Sequence, residues 1–340
     1  MRNLIPYFLF ILLFSCNTEP DNSTTNTTNI EYQWIIPNSI LTGNFNLFPL
    51  AQNPMYSKVN DVNFIADDAL VAIVSFNNEI RVYPYRYIST YESINDIIDG
   101  VNISLTYCPI TKSALCWNTN FNGEKFVIRA SGYLLNDNVV LYDEQSDTYW
   151  SQMLTKCIKG KYAEQNNTTY NFVETRWSTV KKYFNEALVF TNTSVNNSKA
   201  TNTRTVTNKS LLTNFEDGES VYGILNYKAN ANAEIHIFKY NEFENEIVLY
   251  QNQIGTEKII VVGNKEHHFI TSYVNDNNAV YTPLQNSFPI IMQDNNGNQW
   301  DLFGVAVSGP NKGRQLESPI GFVALGWAWK DFYDDFIFNE

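Results

Sequence analysis

The chain has 340 residues, 44% of them hydrophobic and 15% aromatic, with a formal net charge of −12. That is enough apolar material for one large domain or two modest ones, and it excludes a chain that is largely disordered. It also argues against nucleic acid as a partner, because phosphate backbones need a concentrated positive surface and no Lys/Arg cluster exists beyond Lys181-Lys182.

In chain order, Arg2 is a minimal positive start, and Leu4 to Phe14 form an apolar run too short to cross a bilayer as a helix. The run ends in Leu13-Phe14-Ser15-Cys16, which resembles a lipobox: a small residue before the cut, then a thiol that can carry diacylglycerol. The expectation is a lipoprotein signal peptide over residues 1–15 and lipidation of Cys16, which places the protein in a bacterial cell envelope. Asn17 carries no acidic retention signal, which favours the outer membrane. No second apolar stretch reaches spanning length, so the lipid anchor is the expected membrane contact. Residues 16–29 are mostly Thr, Asn, Ser and acids, a flexible tether in composition.

Ala69 to Phe76 is a strand-like run, Asn77-Asn78 can turn the chain, and Glu79 to Tyr83 alternates as its hairpin partner, ended by Pro84. Tyr85 to Ile98 is predicted as a short helix. Ile88, Tyr91, Ile94 and Ile98 share one face, and Asp99-Gly100 stops it. Val101 to Tyr107 is a strand that runs into Cys108-Pro109. Leu115 to Phe121 and Glu124 to Ala130 flank Asn122-Gly123, the strongest hairpin signal in the chain. Val139 to Tyr142 is a buried strand, Glu174 to Phe184 a second short helix, and Thr191 to Asn214 an exposed polar loop. Strands follow at Glu234 to Tyr240, Glu246 to Tyr250 and Lys258 to Val262. Phe288 to Gln293 and Trp300 to Val307 form another hairpin, and Ile320 to Trp329 is a strand or short helix. The fold class is therefore mainly β with a few short α-helices (α+β), built as a hairpin-rich sheet or a barrel-like core. Residues 30–340 form a single β-rich domain, in which about 191–287 is an insertion or a second lobe.

Several segments form an ordered series: Thr106-Tyr107-Cys108-Pro109-Ile110-Thr111, Ser131-Gly132-Tyr133-Leu134-Leu135-Asn136, Tyr142-Asp143 and Trp150-Ser151-Gln152-Met153. This series resembles the domain-of-unknown-function 3179 family of bacteria and archaea. The resemblance runs from about Ala69 to about Gly160. It returns at Trp300-Asp301 and continues through Ser308-Gly309-Pro310 to Trp327 and Trp329. The family's name supplies no activity. The chain also departs from the family pattern. Tyr91-Glu92 stands where the family has His-Glu, although Asn95-Asp96 is kept. Thr111 stands where many members have a second cysteine, and Glu144 replaces an arginine. The lost imidazole and guanidinium weaken any inherited acid/base or anion-binding role.

The matched segments supply the candidate pocket: Cys108, Glu92, Asn95, Asp96, Ser131, Asp143, Trp150 and Gln152. Cys108, at a strand end, would be a reactive thiol or metal ligand in a cleft. A catalytic thiol needs a base, and His236, His267 and His268 lie far along the chain. The plainer account is a disulfide. Cys157, in the matched Trp-Ser-Gln block, is the preferred partner of Cys108, with Cys116 on the neighbouring hairpin as competitor. Glu92, Asp96 and Asp143 would serve general acid/base chemistry, or else cap helices and turns. Trp150 and Gln152 would line a pocket with a ring and an amide, or else be core.

No metal site is expected, since neither C-x-x-C nor H-E-x-x-H occurs, and no cofactor is indicated. His267-His268 on a strand would face opposite ways. Ser308 to Arg314 would hold an anion or simply be a surface loop. Gly326-Trp327-Ala328-Trp329 would stack on a sugar if extended, with core packing the favoured account. Two function classes follow. One is a binding or accessory protein that takes a small molecule or glycan. The other is an enzyme using Cys108 or the carboxylates Glu92, Asp96 and Asp143.

Overall fold

Two-residue turns with left-handed backbone set the architecture. Asp99-Gly100, Asn122-Gly123 and Asn136-Asp137 all have positive φ at both positions. They close the pairs Ile98↔Val101, Phe121↔Glu124 and Leu135↔Asn138. Positive φ at both central residues is the mark of type I′ turns, whose twist matches that of the strands they join. The computed structural model describes residues 32–77, 79–191, 215–216, 218–228, 233–276 and 278–338. The expected leader, Cys16, the tether 16–29 and loop residues 192–214 lie outside the described residues. Gln33–Glu340 make up one compact unit.

Several sheets carry the chain, and the protein is mainly β. One five-stranded meander has the order Leu41–Gly43, Ile128–Leu135, Asn138–Asp143, Thr148–Ser151, Lys156–Lys159. A second places Val101–Cys108 between Ser113–Asn118 and Ser93–Ile98, with Thr169–Tyr170 and Ala51–Gln52 at its edges. A third pairs the hairpin Leu70–Phe76 and Glu79–Pro84 with Val173–Arg176 on one side and Leu188–Phe190 on the other. The later chain forms a four-stranded sheet of Gly321–Leu325, Ser220–Tyr227, Ala233–Lys239 and Asp335–Phe338. It also forms a meander, Val248–Ile254, Glu257–Asn264 and Phe269–Val274, and a four-stranded sheet from Tyr281 to Ser308. The described α-helices are α1 (Tyr85–Tyr91), α2 (Trp177–Tyr183) and α3 (Gly326–Phe332). None of them is long and apolar enough to cross a membrane.

Four local expectations change. The helix expected over Tyr85–Ile98 ends at Tyr91, where Glu92 takes a left-handed backbone (φ 55) and closes it. Ser93–Ile98 is instead a strand paired to Val101–Cys108. Ile94 and Ile98 are four apart, a spacing that suits one face of a strand as well as of a helix, and cross-strand pairing decides between them. The helix expected from Glu174 likewise starts only at Trp177, after the strand Val173–Arg176. Around Asn122-Gly123 only Asn120–Phe121 and Glu124–Lys125 pair, and the longer flanking strands pass into two different sheets. Gly326–Trp329 is helical, so its two rings do not share an extended face: Trp329 is buried in the core and Trp327 only partly so.

The cores join distant parts of the chain. Cys108, Trp117, Trp150 and Cys157 share one cluster with Val221 and Ile235 of the later sheets and with Phe322, Ala328 and Trp329 of the C-terminal block. Another cluster packs Val71, Val173 and Trp177 against Ile260, Phe269, Met292 and Trp300. Residues 220–274 therefore contribute to both flanking cores. Large fully buried rings such as Trp150 and Trp329 each stabilise the fold by about 3–5 kcal/mol relative to alanine.

Candidate functional site

The matched segments meet, but they meet as a buried polar network. Gln152 donates to the Thr106 hydroxyl at 2.9 Å and accepts from Ser113 at 2.6 Å and Asn138 at 2.9 Å. Asn138 also donates to Thr111 at 2.9 Å, and Thr111 and Ser113 are 2.8 Å apart. The Trp117 indole donates to Thr106 at 2.9 Å. Thr106, Thr111, Ser113, Asn138 and Gln152 are all sealed from solvent. Such a network holds together because each member is satisfied, and it leaves no donor or acceptor for a ligand. Trp150 is fully buried, and its N–H is taken by Thr148 at 3.0 Å.

The polar residues Asp143, Asn95, Ser131 and Asp96 are likewise committed. Buried Asp143 accepts from the backbone N–H groups of Val127 (2.7 Å) and Ser146 (2.8 Å) and from the Ser146 hydroxyl, holding a turn. Asn95 exchanges two hydrogen bonds with the Ile128 backbone, which ties two sheets together. Ser131 donates to Val140 O at 2.6 Å. Asp96 accepts from the hydroxyls of Tyr56 and Tyr83, and from Ile97 N at 2.7 Å.

Cys108 and Glu92 remain as the chemically distinctive pair. Cys108 ends the strand Val101–Cys108 and is wholly buried. Burial first, and the nearby Glu92 carboxyl second, push its thiol up to about 11, opposed by hydrogen bonds from Thr111. The expected disulfide is not formed in the structure: Cys108, Cys116 and Cys157 are free thiols. The Cys108 thiol points to Asp137 O (3.7 Å), whereas that of Cys157 donates to Lys159 O (3.3 Å). Glu92 caps α1, its own carbonyl accepts from Tyr107 N at 3.0 Å, and burial pushes its carboxyl up to about 8. It therefore carries a proton at neutral pH.

Next to this pair lies a group of rings around Glu174. Tyr107 follows Thr106 on the same strand and stacks on Tyr85 at 4.4 Å with rings 6° from parallel. Beyond them the Glu174 carboxylate lies 3.5 Å from the Tyr240 hydroxyl and 3.6 Å from His268 Nε2. Tyr240 and His268 stack in turn at 4.2 Å and 8°. Burial first and Glu174 second hold the hydroxyls of Tyr85, Tyr107 and Tyr240 above the ordinary phenol range. Tyr107, Tyr240 and His268 nevertheless keep partial exposure. His268 is in the turn between Glu257–Asn264 and Phe269–Val274, not on a strand. Glu174 comes from a strand in the third sheet and Tyr240 from a short 3₁₀ turn, Tyr240–Glu242.

Lys312 N bonds back to Gly309 O at 3.2 Å, so the 308–314 segment is a turn. Among the described residues, no three His, Cys, Asp or Glu side chains are grouped to hold a metal ion.

Residues 46–336 match the family model described as a protein of unknown function (DUF3179). No curated protein and no solved structure matches the chain.

Proposed function

The chain belongs to this family of proteins of unknown function, and from that premise we propose that it is a lipid-anchored envelope protein that binds a small ligand beside the Thr106–Pro109 segment. The binding surface is the partly exposed ring group at Tyr107, because the Trp150 and Gln152 side chains are sealed from solvent. One observation carries this reading: the Cys108 thiol is wholly buried and pushed up to about 11, so it stays protonated where a nucleophile must ionise. Binding is the chemistry that the partly exposed rings of Tyr107, Tyr240 and His268 suit best. Cys16, lipidated after removal of residues 1–15, would hold the domain on the outer membrane through the tether 16–29.

Thermal-shift screening of the intact protein with small molecules and glycans tests the binding reading, because a ligand selective for the folded state raises the melting temperature by mass action. Tyr107→Ala should abolish the shift while Cys108→Ala preserves it. The opposite pattern would return the function to the thiol. Detergent partitioning tests the anchor: wild-type protein enters the detergent phase, and Cys16→Ser should stay in buffer.

Glu92 favours a second reading. A carboxyl that keeps its proton to about pH 8 is suited to general acid work. Under that reading Glu92→Gln removes turnover of a substrate without weakening its binding.

A further inference from the structure

Residues Tyr32 to Ser57 include no Asp, Glu, Lys or Arg, although 17% of the whole chain is charged. This segment covers one face of the first meander sheet. The opposite face of that sheet joins the large core through Val139, Leu141 and Trp150. On the covered face, Trp34, Ile36, Leu41 and Leu47 pack against Val140, Tyr142, Tyr149 and Ile158. Residues between those four face out, yet they are not the polar residues that water favours. Ile35, Ile40, Phe45 and Leu50 are exposed, Phe45 with 48% of its surface free. Among the described residues nine large hydrophobics are exposed, and five of them, these four and Met55, fall in this one charge-free segment. Single scattered apolar residues need no explanation, whereas a concentration of them marks a contact surface. Rings and a cation border it. Phe45 meets Tyr142 edge-on at 5.3 Å, Trp34 lies 4.9 Å from Tyr149, and Lys159 Nζ sits over the Trp34 ring at 5.2 Å. Exposed aliphatic side chains beside Trp and Tyr, with a lysine at the margin, suit the headgroup region of a bilayer.

We infer that this face, centred on Ile35, Ile40 and Phe45, rests on the lipid bilayer and dips its apolar side chains among the headgroups. The inference rests on the proposed anchor at Cys16 and adds a second contact with the same membrane. Trp34 follows Cys16 by only 18 residues, a length of chain that reaches at most about 65 Å. A lipid on Cys16 would therefore keep the face at high effective concentration near the bilayer, so a contact too weak to form from solution is still made. The net charge of −12 opposes attraction to anionic lipid, so apolar insertion has to hold the contact. A soluble glycan fits less well, because the side chains of Ile35, Ile40 and Leu50 offer it neither a ring face nor a hydrogen bond.

The test uses the chain from Asn17 onward, made without lipid; its residues Gln33–Glu340 form one compact unit. An N-terminal hexahistidine tag and a nickel-chelating lipid hold it on phosphatidylethanolamine–phosphatidylglycerol vesicles. An environment-sensitive dye is placed on Phe45→Cys and, as control, on Val280→Cys, an exposed apolar position outside the segment; Cys108, Cys116 and Cys157 are buried. On vesicles the dye at residue 45 should shift to the blue, and brominated acyl chains should quench it severalfold more than the dye at residue 280. High salt should leave that difference in place. Ile35→Cys provides the labelled position should Phe45→Cys not fold, since Ile35 faces out and takes no part in the ring contacts. Equal quenching at the two positions, none at residue 45, or a difference erased by salt overturns the assignment. A blue-shifted dye at residue 45 without vesicles overturns it too: a shift that grows with protein concentration gives the face to a second copy, and one that does not gives it to the chain itself. Because the tag replaces the lipid, the two proposals separate. If native protein enters detergent while residue 45 stays unquenched, the anchor stands and this contact is wrong. If residue 45 is quenched while native protein stays in buffer, the contact stands and the anchor is wrong.

Discussion

The amide nitrogen of Gln152 donates to the hydroxyl of Thr106 across 46 residues of chain, at 2.9 Å and out of contact with solvent. This bond joins the Trp-Ser-Gln segment to the Thr-Tyr-Cys-Pro segment. The two most recognisable stretches of the sequence therefore meet inside the protein, and their hydroxyls and amides are spent on each other. Residues that look like a pocket when read one segment at a time form the glue between two sheets.

Gln152→Leu should therefore destabilise the protein without touching any binding site. The change removes three bonds to side chains and leaves the Ser113 hydroxyl and an Asn138 donor with fewer partners. A buried polar group stripped of its partner costs about 1–3 kcal/mol. We expect a loss of about 3 kcal/mol in urea unfolding, with the slope of the transition unchanged. A loss under about 0.5 kcal/mol would show that the network contributes little.

Cys108 should resist alkylation in the folded protein. With the thiol pushed up to about 11 instead of 9, its thiolate fraction at pH 8 falls roughly 100-fold, and burial slows reagent access further. Iodoacetamide labelling followed by peptide mass spectrometry measures this directly. Cys108 should label quickly only once denaturant is added. Rapid labelling of native protein would revive the nucleophile reading.

The turn at Asn122-Gly123 and the hairpin at Ala69–Tyr83 were legible because their chemistry is local, whereas Asp99-Gly100, read as the stop of a helix, is the turn between two strands. Left-handed backbone selects Asn, Asp and Gly, and alternation selects strands. The helix expected through Ile98 overran because a spacing of four satisfies both periods, and only the partner strand at Val101–Cys108 breaks the tie. The burial of Gln152, Asp143 and Asn95 was not legible, since each depends on partners supplied by other strands. Nothing in the sequence brings Glu174, Tyr240 and His268 together, although His268 stands out there as a distant histidine. They lie 66 and 28 residues apart in order, and a strand, a short 3₁₀ turn and a tight turn bring them together.

Gly132→Ala should be among the most damaging small substitutions. Gly132 has φ +85, and a Cβ there would lie 2.5 Å from Asn44 O and 2.8 Å from Asn46 N. Both neighbours are backbone, belonging to the N-terminal segment where it crosses the strand Ile128–Leu135, so neither can give way cheaply. Unfavourable backbone and overpacking together should cost about 2–4 kcal/mol. The measurement is the midpoint of thermal unfolding, which should fall by several degrees. An unchanged midpoint would mean that the N-terminal segment is not held against this strand.

Glu92 should make the protein less stable as pH rises. Its folded-state carboxyl is pushed up to about 8 by burial, above the ordinary value of 4.5, so the folded protein holds a proton that the unfolded chain releases. The folded state binds more protons between those two values, and stability therefore falls with pH across that window. The contribution is fully present below about 4.5 and is lost as pH passes through about 8. The total is on the order of a few kcal/mol. Glu92→Gln keeps the shape of the side chain and the left-handed backbone at this position but cannot ionise. Its unfolding free energy should change less between pH 5 and pH 8.5 than that of the wild type, so the two curves should diverge most at the alkaline end. Parallel curves would mean that the Glu92 carboxyl titrates at the same pH in the folded and unfolded protein. It would then be ionised at neutral pH, and the general-acid reading would lose the proton on which it depends.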